Sequence, residues 1–397
     1  MSKIVFFSIP AYGHTNPTIE VVRELVRRGN IVRYYSFHIF QEKIENAGAE
    51  FFSCDKYLPP VPPDIDKRSG YDFSSLIGMV TDVTINMEKQ VKRELVDFQP
   101  DCIVSDSLCI WGKLFASSLH IPMICSTTSF AFNKNTAKLM KPEGREVFYT
   151  ILGFPRIGKK IRMLKEHGYD ISDMTQMIKN DDVTPTIVYT SRAFQPRNEE
   201  FGSNYAFVGP SIRLCEKPDV HSSSRPLIYI SLGTVMKNPG FYRECIDALR
   251  GCEYDVIMSV GSQEMLETIE DIPANFQVSK FVPQLQVLQN ADVFLTHCGM
   301  NSVHESIYFG VPMILFPQQS EQRVVANRLR EMGAGVPLKK ASARAIRDRI
   351  KEVLSRKRDI QAKLKKLADS FLEAGGPKKA ADFIEQSSCC IFNINRL

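Results

Sequence analysis

The chain has 397 residues, with 50 Lys and Arg against 45 Asp and Glu for a net charge of +5, and 44% of its residues are hydrophobic. This balance excludes a largely disordered or collagen-like chain and leaves length for two domains, each with its own core. It supplies no concentrated basic surface of the kind a nucleic acid demands, and no run of about 18 apolar residues marks a membrane span.

The segment Ile4-Val5-Phe6-Phe7-Ser8-Ile9 reads as a buried strand and is too short for a signal peptide. Asn16-Pro17 then reads as a helix start, with Asn as N-cap and Pro at the first helical position. Ile19, Val22, Leu25 and Val26 share one face of that helix, and Gly29 stops it. Strands are predicted at 31–35, 101–105 and 121–126. Strands alternating with helices predict a parallel sheet covered on both faces. Two stretches break the rhythm: 55–90, with Pro59, Pro60, Pro62 and Pro63, and 130–182, with Phe130, Phe132, Met140, Phe148 and Tyr149. Both are expected to be insertions that carry binding specificity.

Residues 209–226 (Gly209-Pro210, Lys217-Pro218, Ser222 to Ser224, Pro226) read as a linker between domains. A second alternation follows, with strands predicted at 227–232, 254–260, 293–296 and 312–316 and helices at 241–250, 302–309, 321–332 and 343–355. The expected organisation is an N-terminal domain over 1–208, a C-terminal domain over 227–376, and a terminal helix and tail over 377–397. Two doubly wound α/β domains would bind ligands beyond the carboxyl ends of their strands, in the cleft between them.

Ten cysteines show no CxxC pair and no Cys/His metal spacing, which fits reduced thiols in a cytoplasmic protein. Residues 339–368 hold twelve Lys and Arg, broken by Asp348, Glu352 and Asp359. They read as a solvated helical face rather than as a membrane-attracted one. Asp64-Ile65-Asp66 has the spacing of a metal-binding acidic pair but sits in the proline-rich insertion, so it reads as surface loop and no metal is expected.

The stretch 281–322 carries the chemistry. It contains Phe281-Val282-Pro283-Gln284, then Thr296-His297-Cys298-Gly299-Met300-Asn301-Ser302-Val303-His304-Glu305, and closes on Pro317-Gln318-Gln319-Ser320-Glu321-Gln322. A strand ends near Thr296 and a helix opens at Asn301-Ser302, so free backbone N–H groups and a positive dipole end make an anion site. Asn301 and Ser302 add donors, His297 adds an imidazole, and Glu305 can accept hydrogen bonds from sugar hydroxyls. In the first domain, His14 within Ala11-Tyr12-Gly13-His14-Thr15-Asn16-Pro17 sits where the first strand becomes the first helix. Its imidazole can take a proton near pH 7, although a capping role explains the position equally well on spacing alone. Asp106 ends the 101–105 strand and would set the tautomer of His14 from a neighbouring strand end.

Together these residues resemble the nucleotide-sugar signature of UDP-dependent glycosyltransferases, and more narrowly the bacterial macrolide-type members, which read His-x-Gly-Met where plant relatives read His-Cys-Gly-Trp. The resemblance spans essentially the whole chain, strongest over 281–335 and 1–35. It implies the GT-B fold of two Rossmann-like domains around a deep cleft, with a terminal helix near 377–387 crossing back to the first domain. It implies that Phe281 stacks on uracil while the Val282 backbone pairs with the base edge. His297, Gly299, Asn301 and Ser302 would hold the phosphates, with Ser231 and Thr234 beside them in Ser231-Leu232-Gly233-Thr234. Glu305 would hold the ribose, Glu321 and Gln322 the sugar, and Ser129 of Thr127-Thr128-Ser129 would reach the sugar or the leaving phosphate. His14 and Asp106 would be the catalytic base and its partner. The implied activity is inverting, metal-independent transfer of a sugar from a UDP-sugar, UDP-glucose first, to a hydroxyl of an apolar small molecule such as a macrolide, flavonoid or terpenoid. No prosthetic cofactor is implied, and the oligomeric state is left open between monomer and dimer. Three other readings compete: a UDP-sugar epimerase or hydrolase, a non-enzymatic UDP-sugar sensor, and a glycolipid synthase at a membrane surface. The aromatic-rich insertions argue against the first, and a sensor has no use for a base.

Overall fold

A computed structural model describes residues 1–59, 73–142, 144–171, 183–212, 223–233 and 237–394. Seven strands form the first sheet: β1 (Lys3–Phe7), β2 (Ile31–Ser36), β3 (Glu50–Ser53), β4 (Cys102–Asp106), β5 (Met123–Thr127), β6 (Thr186–Val188) and β7 (Tyr205–Phe207). Their order is β3-β2-β1-β4-β5-β6-β7, every pair parallel. Helices α1 (Tyr12–Arg27), α2 (Gln41–Glu45), α3 (Phe73–Phe98), α4 (Ile110–Leu119) and α5 (Gly144–Glu166) cover it. Strands such as β1 are apolar almost throughout because both faces are covered.

The second sheet has six strands: β8 (Leu227–Ser231), β9 (Asp255–Ser259), β10 (Phe276–Ser279), β11 (Val293–Thr296), β12 (Met313–Leu315) and β13 (Gly335–Pro337). They run parallel in the order β10-β9-β8-β11-β12-β13. Its helices are α6 (Pro239–Leu249), α7 (Gln263–Glu267), α8 (Gln284–Leu288), α9 (Met300–Tyr308), α10 (Ser320–Glu331), α11 (Ala343–Ser355) and α12 (Lys357–Glu373). The strand order reverses between β1 and β4 in one sheet and between β8 and β11 in the other, which is where such sheets open a ligand crevice.

The first helix departs from expectation. It starts at Tyr12, not at Asn16, and Pro17 lies inside it. The N-cap is Ala11, which makes no side-chain cap bond. Pro17 has no N–H, so the carbonyl of Gly13, four residues earlier, loses its intrahelical donor. That carbonyl is satisfied from the other domain, as described below.

Among the described residues, each of the two stretches expected as insertions contributes a long helix, α3 and α5, and these pack together. In α3 the buried residues Ile77, Val80, Val83, Met87, Val91 and Leu95 recur at helical spacing. Gly153 lets α5 approach α3 closely, since a Cβ there would lie 2.2 Å from the Cβ of Ser74. Asp64 and Asp66 lie outside the described residues.

The last helix, α13 (Gly376–Ile394), packs on α1. Ala380, Ala381 and Ile384 belong to the core of the first domain. Arg28 Nη1 pairs with Glu385 Oε2 at 2.8 Å, and Asn30 Nδ2 donates to Glu385 Oε1 at 2.7 Å. The chain therefore crosses between the domains twice. The crossings touch, with the Gly376 N–H donating to the Val208 carbonyl at 2.7 Å. Gly209 beside them has φ +79°, and a Cβ there would lie 2.6 Å from the Phe371 carbonyl oxygen.

The basic stretch 339–368 falls largely on α11 and α12. Its charges are paired along the helices: Arg356 with Glu352 at 3.1 Å, Lys363 with Asp359 at 2.9 Å, and Arg349 with Glu352. Ion pairs of this kind are typical of a solvated helix face. No helix among the described residues is long and apolar enough to cross a membrane.

Candidate active site

The carboxyl ends of both sheets face each other, and every candidate residue placed by the structure comes from these edges. His14 is the third residue of α1 and Asp106 the last of β4. Although 92 residues apart, they meet with His14 Nδ1 2.7 Å from Asp106 Oδ2. Asp106 Oδ1 accepts the Leu108 N–H at 2.9 Å, which fixes the carboxylate, and its side chain is only 1% exposed. With Nδ1–H committed to Asp106, the free lone pair of the imidazole is on Nε2. Thr128 Oγ1 lies 3.3 Å from the same Nδ1. Ser129, expected at the sugar or the leaving phosphate, donates its hydroxyl to the Phe130 carbonyl at 3.2 Å in the unliganded chain.

Loss of solvation pulls the His14 pKa down. Attraction to Asp106, the hydrogen bond to it and the field of Glu321 outweigh that and leave it above its ordinary value. Glu321 opens onto the cleft but has protein from both domains around it. Desolvation raises its carboxyl pKa, His14 opposes this, and Asp106 adds to it. Glu321, expected at the sugar, thus faces His14 and Asp106 across the cleft.

On the opposite wall, β11 ends at Thr296 and α9 begins after Gly299, whose backbone caps the helix without a side chain. The turn is tight: Cys298 has φ +67°, and its N–H is held by Thr296 Oγ1 at 3.1 Å. His297 is wedged between two glycines. A Cβ on Gly299 would lie 2.5 Å from its Nε2, and one on Gly233 2.9 Å away. Burial pushes the His297 pKa down to about 4, partly offset by a bond to the Ser231 backbone, so the ring is neutral at pH 7. Its Nδ1 is buried and has no hydrogen-bond partner among the described residues. Ser231 Oγ accepts the Gly233 N–H at 3.2 Å and shapes the facing turn. Thr234 lies outside the described residues.

Asn301 Nδ2 donates to the Gly13 carbonyl at 3.2 Å, the carbonyl that Pro17 leaves unsatisfied. The start of α9 and the start of α1 are thus in direct contact. Ser302 and Glu305, one turn apart on α9, are joined by Gln284: its Nε2 lies 3.1 Å from Ser302 Oγ and also donates to Glu305 Oε2. Gln284 is oriented in turn by Tyr229, whose hydroxyl donates to Gln284 Oε1 at 2.9 Å. Burial raises the Glu305 pKa to about 7, against the opposing bond to Gln284 and the field of Lys43. Phe281 is 52% exposed and offers an open ring face, with Val282 half-buried beside it. Gln322 is turned inward: Oε1 accepts the Gln318 N–H at 2.9 Å and Nε2 donates to Gln319 Oε1 at 3.3 Å. Among the described residues, no three His, Cys, Asp or Glu side chains converge as metal ligands.

Residues 243–386 match the family described as erythromycin biosynthesis protein CIII-like, C-terminal domain. Over 96% of both chains, the protein is 33% identical to the NDP-glycosyltransferase YjiC of Bacillus subtilis (strain 168). The chain belongs to the bacterial UDP-glycosyltransferase family. It is also 29% identical to the demethyllactenocin mycarosyltransferase of Streptomyces fradiae, over 97% of this chain and 86% of that one. The solved glycotransferase of kitacinnamycin superposes with a TM-score of 0.81 at 23% identity, covering 97% of this chain and 98% of the other, and shares its GT-B fold.

The protein is therefore a UDP-dependent glycosyltransferase. In this transferase the structure adds three residues to those read from sequence: Thr128 at the base, Gln284 between Ser302 and Glu305, and Glu146, whose contacts are taken up below. Gln284 lies within the 281–322 motif, and Thr128 within Thr127-Thr128-Ser129. Nothing in the sequence marked Glu146.

Proposed function

We propose that this transferase moves a sugar, glucose first, from a UDP-sugar to a hydroxyl of an apolar small molecule, with inversion and without a metal. His14 Nε2 takes the proton of the acceptor hydroxyl while Asp106 stabilises the imidazolium that forms. The acceptor oxygen attacks the anomeric carbon, the bond from that carbon to the diphosphate oxygen breaks, and UDP leaves with the electron pair. An α-linked donor then yields a β-glycoside. The charge developing on the diphosphate is met by the N-terminus of α9, by Asn301 and Ser302, and by the neutral His297. Glu305 holds the ribose, Phe281 the base, and Glu321 the sugar.

The observation that carries this reading is the His14–Asp106 pair, 2.7 Å apart, standing against the α9 anion site through the Asn301–Gly13 contact. The acceptor class rests on α5, where Phe148, Ile151, Leu152 and Phe154 are 58%, 58%, 61% and 55% exposed. Such a patch on the acceptor domain favours a ligand with apolar rings.

The test is a mass-spectrometric screen of macrolide, flavonoid and terpenoid alcohols against several UDP-sugars, with EDTA present. Mass gain of one hexose with release of UDP is expected. No transfer to any alcohol, with UDP-sugar consumed by water alone, would instead make the protein a hydrolase.

A further inference from the structure

Helix α10, which carries Glu321 and Gln322, begins without a cap of its own. Gln319 stands at the N-cap and makes no side-chain cap bond. A helix start leaves N–H groups that need acceptors. The acceptor comes from the other domain. Glu146 of α5 accepts the Ser320 N–H with Oε1 at 3.1 Å. Its Oε2 accepts from Nη2 of Arg323, one turn into α10, and the same nitrogen donates to the Lys141 carbonyl at 3.3 Å. Glu146 is 8% exposed, and the Arg323 side chain 22%. A carboxylate at a helix N-terminus is favoured by the dipole, and a charge-assisted bond in a dry place is strong.

We propose that Glu146 is a positioning residue for the donor sugar. It caps α10 from the acceptor domain, so the backbone of Glu321 is held at the sugar only while the two domains are together. The same helix presents Phe148, Ile151 and Leu152 within two turns of Glu146, so an acceptor resting on that face lies on the element that fixes the sugar-binding carboxylate. This rests on the function proposed above, in which Glu321 meets the sugar. Glu146 itself touches no substrate.

Because UDP is held by α9 and by residues 281–284, while only the sugar reaches Glu321, the effect must separate the two ligands. Calorimetric titration of UDP and of UDP-glucose into the full chain reads it directly. Glu146→Ala is expected to weaken UDP-glucose about tenfold, the size of one lost charge-assisted bond, and to leave UDP within about twofold. KM for UDP-glucose should rise in step. Glu146→Gln keeps an oxygen for the Ser320 N–H but loses the charge, so it should fall between wild type and Glu146→Ala. It also serves as the test variant should Glu146→Ala fail to fold. In a Glu321→Ala background, Glu146→Ala should cost UDP-glucose nothing further, because residues acting through one group are not additive. Equal losses of UDP and UDP-glucose would make Glu146 a general structural residue and overturn the proposal, as would no loss of either or an additive loss with Glu321→Ala. Failure of the wild-type chain to bind UDP at all would overturn the donor assignment itself, a separate result from equal losses.

Discussion

Replacing Asp106 by Asn should move the pH dependence of transfer toward acid while lowering its maximum. His14, the proposed base, can take a proton only when neutral, so activity should be lost as the pH falls through its pKa. That pKa stands above the ordinary value because Asp106 outweighs the desolvation of the ring. The carboxylate accepts at 2.7 Å from a nearly unexposed position. A bond to a charged group is worth about 1.5–3 kcal/mol, and one pKa unit is about 1.4 kcal/mol. Asn removes the charge but leaves the burial, so the imidazole pKa should fall and the acid limb should move with it. The weaker base and the loss of the enforced tautomer should cut the plateau by about 10² or more. The assay is kcat/KM for an alcohol acceptor between pH 5 and 9, followed by UDP release, since that ratio reports the free enzyme. An acid limb that stays where it is in Asp106→Asn, with only the plateau lowered, would show that the limb does not belong to His14.

Three further outcomes are expected. Glu305, raised to about 7 by burial, loses its proton around neutrality, so UDP affinity should climb as the pH rises through 7, and Glu305→Gln should flatten that climb in calorimetry. A carboxyl with a raised folded pKa lowers stability as the pH rises from its unfolded value through 7, so Glu305→Gln should stabilise the unliganded chain at pH 8 and not at pH 4, by about 1 kcal/mol after screening by cleft water, read as a higher melting temperature. Gly299→Ala places a methyl 2.5 Å from His297 Nε2 and should weaken UDP by about 1–3 kcal/mol, whereas Gly158→Ala, with nothing within 4 Å, should bind UDP as the wild type does. Pro17→Ala returns an N–H to the Gly13 carbonyl; thermal unfolding should show a gain in stability of about 1–3 kcal/mol, and the cost of Asn301→Ala should shrink in that background.

The long strands of both sheets were legible because buried parallel strands are nearly continuous apolar runs, as in β1 and β8. β3, β6, β7, β10 and β13 have three or four residues and lie at or next to the sheet edges, whereas β11 and β12, just as short, sit inside the sheet and read as apolar runs. The start of α1 was misplaced because Asn16-Pro17 has the local chemistry of a helix start, while the true start at Tyr12 is stabilised by a partner in the other domain. In the site, the strand-end argument placed His14 beside Asp106, and the motif placed Asn301, Ser302 and Glu305 along one helix. Within Thr127-Thr128-Ser129 no local pattern says which hydroxyl turns to the His14 ring; it is that of Thr128. Gln284 and Glu146 draw their roles from contacts 18 to 177 residues away, which no local pattern encodes.

The paired crossings at Val208–Gly209 and Gly375–Gly376 limit how the cleft can open. A single tether would let one lobe twist or slide over the other. Two tethers bonded side by side remove sliding and leave a swing about one pivot, with the torsions taken up by glycines at φ +79°, +93° and +59°. Opening the cleft would bend both tethers at this one place, and closing it would bring His14 back over the start of α9.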